Sequence, residues 1–159
     1  MRVITNTSPL LYLHAIQQLE LLQHVYSTIV VPQAVVDELR IGHQQGYDVP
    51  DCQTYGWMQI ETVAIPAVLK LVTHLGIGEA EVLAIALATP TDLVLLDDAL
   101  ARQVATSQGI RFTGTPGVLI RAKEHGYLTT VMPLVEAMQH AGCHISDTLK
   151  ATIRRIVAE

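Results

Sequence analysis

Asn6, Glu38, Glu79 and Asp97, with Asp98 beside the last, are oxygen-bearing side chains that an alternating strand–helix chain would bring to one edge. Asn6 follows the strand-like Arg2–Thr5, and Asp97-Asp98 follow the apolar run Leu93–Leu96. Glu38 sits in a helix opened by Pro32, and Glu79 begins a helix after Gly78. In open α/β folds the working residues gather just past the carboxyl ends of strands. Carboxylates clustered there repel one another unless a divalent cation neutralises them. Mg²⁺ or Mn²⁺ suits such oxygen ligands, keeps several waters and binds phosphates. The chemistry expected is metal-assisted hydrolysis of a phosphodiester.

Helix geometry selects which acids look inward. Glu38 shares a face with Ala34 and Val35, so it should point at the protein, while Asp37 shares a face with Gln33 and should point at water. Glu79 shares a face with Val82, Leu83 and Ala86, and Glu81 lies about 200° around the helix from it. Each acid also has an ordinary structural reading. Glu79 would complement the positive end of its helix, Asp97 or Asp98 would cap a helix starting at Ala99, and Glu38 would pair with Arg40 or Arg102.

The elements that must position these groups alternate along the chain. Arg2–Thr5 reads as a strand, Ser8 and Pro9 as the cap and first turn of a helix over Leu10–Ile16, and Leu19–Val25 as a further apolar stretch. Thr28–Val31 is a short buried strand, followed by a helix from Pro32 to about Arg40. Residues 42–57 read as a loop with room for a helical turn. Met58–Val63 is a strand and Ala67–Leu75 a helix, which Gly76-Ile77-Gly78 breaks. A helix over Glu79–Ala88 follows. Leu93–Leu96 is the kind of apolar run buried in a parallel sheet. Ala99–Gln108 is a helix, Arg111–Thr113 a last strand, and Pro116–His125, Met132–Ala141 and Asp147–Val157 are closing helices. The expected fold is α/β: a single domain over 1–159 with a parallel sheet of about four to five strands flanked by helices. Residues 1–125 form its α/β core and 126–159 add C-terminal helices.

Composition narrows the function. Half of the 159 residues are apolar and only 16% are charged, so some apolar surface should end in an oligomer or partner interface. A net charge of −5 argues against a broad basic surface for duplex DNA. The charge is uneven: residues 1–100 carry three Lys/Arg against eleven Asp/Glu, and residues 101–159 carry seven against four. An acidic site beside a mildly basic region suits a metal and a phosphate backbone, and also suits an ordinary solvated surface. No apolar run approaches the roughly 18 residues of a membrane span. No signal peptide is visible, a cytoplasmic location is expected, and Cys52 and Cys143 are expected to be free thiols.

The segments Val3–Leu10, Val31-Pro32 with Val36–Leu39, Gly78–Glu81 with Ala84–Ala86, and Leu95–Asp98 together resemble the PIN-domain family. More narrowly they resemble a little-characterised branch near the VapC-type toxin ribonucleases. Thr113–Val118 and Arg121–Lys123 look like the same branch. The resemblance implies an endonuclease for single-stranded RNA, using Mg²⁺ or Mn²⁺ held by three or four acids. Glu38 matches the second acid, Glu79 the third and Asp97 the fourth; Thr7 and Ser8 match the hydroxyl-bearing positions after the first. A small antitoxin protein and a homodimer are implied as partners. The departure is Asn6, which stands where the family has its first Asp and offers a carbonyl oxygen but no charge. It points to weakened metal affinity and slow or lost hydrolysis, and so to a rival reading as an inactive binding module.

Arg102 and Arg121 are candidates for phosphate contacts, or simply exposed charges. His140 and His144 flank Cys143, but Gly142 should break the helix between them and no second ligand pair follows. Gly76-Ile77-Gly78 lacks the Gly-Lys-Ser/Thr of a phosphate loop. No Gly-x-Ser-x-Gly elbow marks a serine hydrolase.

Overall fold

The computed structural model of the chain describes all residues from 1 to 159. Five short strands form one parallel sheet: β1 (Val3–Thr5), β2 (Ile29–Pro32), β3 (Met58–Glu61), β4 (Leu93–Leu95) and β5 (Phe112–Thr113), in the order β3-β2-β1-β4-β5. Nine helices surround it. They are α1 (Thr7–Ala15), α2 (Leu21–Tyr26), α3 (Gln33–Gln44), α4 (Ala67–Lys70), α5 (Ile77–Ala88), α6 (Ala99–Ser107), α7 (Thr115–Glu124), α8 (Met132–His140) and α9 (Asp147–Val157).

Alternation along the strands splits the core in two, because successive side chains point to opposite faces. Val3, Ile29, Val31, Leu93 and Leu95 pack on one face with α1, α2, α3, α7, α8 and α9. Ile4, Val30, Val94 and Leu96 pack on the other with α4, α5 and α6. Burial on both faces is why β2 and β4 read as unbroken apolar runs. The order reverses at β1, whose neighbours are β2 on one side and β4 on the other. The crevice between the carboxyl ends of β1 and β4 is therefore the switch point of the sheet, and Asn6 N–H there donates to Leu95 O at 3.1 Å.

Local differences from the expected elements have physical causes. Helix α1 starts at Thr7, not Leu10, with Asn6 in the N-cap position, so Ser8 lies inside the first turn and caps nothing. The α3 helix runs on to Gln44, past its expected end near Arg40 and into the stretch expected to be a loop. The expected helix over Ala67–Leu75 shrinks to one turn, because Val72 and Thr73 are β-branched and His74 takes φ 67°. Gly76-Ile77-Gly78 does not break a helix; Gly76 is the N-cap of α5 and Gly78 lies in its first turn. Asp98 caps α6 by accepting from Ala101 N–H at 2.8 Å. Both cysteines are free and buried. No helix is long and apolar enough to cross a membrane.

Candidate functional site

Asn6 is the hinge of the site. It is only 2% exposed, and although Asn is a favoured N-cap residue its side chain caps nothing. Its Nδ2 instead crosses to α5 and donates to Glu79 Oε1 at 3.1 Å. Its Oδ1 is buried and has no donor at all. A Cβ placed on Gly78 would stand 3.0 Å from that Oδ1 and 2.7 Å from Glu38 Oε1. The two oxygens therefore lie close to the first turn of α5, and a side chain at Gly78 would require Glu38 to move aside. Glu38 Oε2 is engaged, accepting from Thr7 Oγ1 at 2.6 Å.

The acids behave as individuals. Glu79 lies in the first turn of α5 with Oε2 folded back against Gly76, where a Cβ would collide with it. It therefore meets the positive helix end as well as Asn6. Asp97, just past β4, accepts from Thr115 N–H at 2.8 Å and from Thr115 Oγ1 at 2.6 Å, so its carboxylate sits on the N-terminus of α7. Arg102 Nη2 stands 3.8 Å from Asp97 Oδ1, and Arg102 Nε donates to Leu96 O at 2.8 Å. Gly114 packs as closely: a Cβ there would run into the tip of Arg102 and lie 2.8 Å from Asp97 Oδ1, so both side chains would have to shift.

Two clefts open on this ridge. One, of about 560 Å³, has Glu79, Asp97, Asp98, Arg102 and Ser8 along it and faces α9. The other, of about 410 Å³, has Thr7 and Glu38 along it and runs between α1 and α3. Tyr12 lines both. Its hydroxyl is pushed up from the ordinary tyrosine value, first by burial and then by Cys143 and Asp97. Burial, with a contribution from Asp97, raises the Cys143 thiol to about 11, so it is a neutral wall residue at physiological pH.

Three expectations need correction. Glu38 is exposed and Asp37 half-buried, the reverse of the expected exposure. Glu38 still leans across the ridge to Thr7, while Asp37 is taken by Gln33 and Arg40 on its own helix. Neither Arg40 nor Arg102 pairs with Glu38. Arg121 is far from the ridge: its guanidinium lies over the Tyr26 ring at 5.6 Å and reaches Met1, at the amino end of the sheet.

Sequence reasoning missed Thr115, the partner of Asp97, because the helix was expected to begin one residue later at Pro116. It also gave Glu81 no task. Glu81 Oε2 accepts from Ala34 N–H at 2.8 Å, so the acid facing away from Glu79 holds the N-terminus of α3, the helix that carries Glu38. No sequence signal marks that contact, since 47 residues separate the partners.

The oxygen donors and the unpartnered Asn6 Oδ1 suit a hard divalent cation. In this arrangement every carboxylate has a protein donor, and no three His, Cys, Asp or Glu residues are gathered closely enough to hold an ion. An ion would have to draw the carboxylates together against those hydrogen bonds.

A parallel sheet with oxygen-bearing side chains at its switch point is an open α/β architecture, in which working residues lie past the carboxyl ends of the strands. A family model for PIN domains matches residues 2–159, so the chain belongs to the PIN-domain family. That membership brings a nuclease-type function in general terms, with divalent metals commonly used and RNA as the kind of substrate. No curated protein and no solved structure matched the chain.

Proposed function

We propose that the protein is a metal-dependent endoribonuclease of the VapC-like toxin type, acting on single-stranded RNA and weakened by Asn6. The observation that carries this reading is the meeting of Asn6 Oδ1, an orphaned acceptor, with Glu38 Oε1 beside Gly78 at the switch point. Two acceptors facing one spot with no donor between them call for a cation or a water. Asn6, Glu38, Glu79 and Asp97, with Asp98 next to them, would hold Mg²⁺ or Mn²⁺. Bound there, the ion would activate water and stabilise the leaving oxygen of a phosphodiester.

The chain's own groups do the remaining work. Thr7 holds one oxygen of Glu38 and leaves the other free. Asn6 Nδ2 orients Glu79, and Thr115 fixes Asp97. Arg102 brings a cation to the same cleft, where a phosphate would be neutralised. Ser8 lines it as well. A small antitoxin protein and a homodimer belong to this reading. The exposed Val68, Leu71 and Ile77 supply apolar surface for such a contact.

One observation favours a second reading, an inactive binding module: the carboxylates are already satisfied by protein donors, so the site is coherent without an ion. An RNA cleavage assay with Mg²⁺ and Mn²⁺ on the natural chain, Asn6→Asp and Asp97→Asn separates the two. The nuclease reading expects Mn²⁺-dependent cleavage, a gain from Asn6→Asp and loss in Asp97→Asn. Cleavage unchanged in Asp97→Asn removes the assigned mechanism. No cleavage by the natural chain and no ion binding at millimolar Mn²⁺ establish the module.

A further inference from the structure

The two clefts flanking the carboxylate ridge differ from the ridge itself in one respect: their outer walls are apolar and exposed. In the larger cleft the wall opposite Asp97 is α9, which turns Leu149, Thr152, Ile153 and Ile156 inward. Leu149 and Ile156 remain 41% and 54% exposed. The cations of that helix, Arg154 and Arg155, line a different groove on its far side. The cleft face of α9 is therefore built to meet something apolar, not to grip phosphates. In the smaller cleft Tyr47 is 66% exposed beside Glu38. Tyr12 joins the two clefts, so one path runs from Tyr47 across the ridge to α9.

We propose that these walls are base-binding subsites on either side of the reacting phosphate, Tyr47 for one nucleobase and Leu149 with Ile156 for another. This rests on the ribonuclease reading above. A single strand fits the division of chemistry: its backbone lies over the carboxylates and Arg102, and its unstacked bases turn outward onto Tyr47 and α9. Every base has a flat apolar face, so such contacts tolerate sequence. A duplex keeps its bases stacked inside and cannot use either wall. The shortest substrate that engages both subsites is then one with a base on each side of the ridge.

The test uses the full chain with a short, labelled single-stranded RNA of mixed sequence and, separately, bis(p-nitrophenyl) phosphate, both with Mn²⁺. Tyr47→Ser should weaken RNA binding by about tenfold, within the range for losing one base–aromatic contact, and Ile156→Ser should weaken it severalfold by removing apolar contact. Tyr47→Phe should keep it, hydrolysis of the small diester should not change, and the same RNA as a duplex should bind more weakly than the single strand. Unchanged circular dichroism and melting temperature guard against misfolding, since both positions are exposed. If the natural chain binds or cleaves RNA and neither serine variant alters it, the subsites are wrong while the ribonuclease reading stands. If the natural chain neither binds nor cleaves RNA, both fall together.

Discussion

A single amide does two jobs at Asn6. An aspartate there would add a third carboxylate near Glu79 and Glu38, whereas asparagine donates to Glu79 and brings no charge. The ion-free fold should therefore depend less on metal than the Asn6→Asp variant. That variant should melt lower without a cation and regain its melting temperature with Mn²⁺, the natural chain responding much less; differential scanning fluorimetry across a Mn²⁺ series checks it. Thr115 is buried and gives Asp97 both of its close hydrogen bonds. Thr115→Val keeps the backbone donor and removes the hydroxyl, at an expected cost of about 1–2 kcal/mol in urea unfolding. Thr115→Ser should recover most of it.

The helices decide where these residues meet. Alanine normally favours a helix over glycine by about 1 kcal/mol, so Gly78→Ala in α5 would ordinarily stabilise. Here the new methyl would press on Glu38 Oε1, the tip of an exposed side chain that can swing away, and on the buried Asn6 Oδ1, which cannot. The expected outcome is a folded protein with little change in stability and at least tenfold weaker Mn²⁺ binding, measured by calorimetric titration. A natural affinity in Gly78→Ala would show that Glu38 is not a ligand. The contact from Glu81 to the first turn of α3 works at the same level, since it ties the helix carrying Glu38 to the helix carrying Glu79.

Across the whole molecule, the wall of the larger cleft is held by a contact remote from it. Glu159 accepts from Val131 and Met132 N–H at the start of α8 and from Lys123 Nζ on α7, binding the end of α9 to both helices. The Lys123 hydrogen bond, then the backbone donor of Met132, lowers its carboxyl to about 2. A carboxyl depressed in the folded state contributes stability that is complete above its unfolded value near 4.5 and is lost as pH falls towards about 2. Glu159→Gln should lower the melting temperature at neutral pH, and its difference from the natural chain should shrink through that acid window. A difference independent of pH between 2 and 6 would show that the charge is not what holds α9.

The parallel α/β architecture was legible because its signals are local. Leu93–Leu96 is apolar on both faces, Pro32 opens α3, and Asp98 precedes a helix it can cap. The sites of Asn6 and Asp97 followed from the same rule, since residues just past β1 and β4 must fall at the sheet's switch point. Helical phase alone misjudged Glu38 and Asp37, because exposure depends on which neighbours α3 meets and not only on its own apolar face. Arg121 was misplaced for a similar reason. Seven residues into α7, it has been carried down the side of the sheet to Tyr26 and Met1. The sequence by itself determined that Asn6 and Asp97 reach the carboxyl edge, since each lies just past the end of a strand. Only the tertiary structure decided that Asn6 donates to Glu79, that Thr115 claims Asp97, and that α9 lines the cleft. Those contacts join residues 18 to 73 positions apart in the chain, so no local signal marks them.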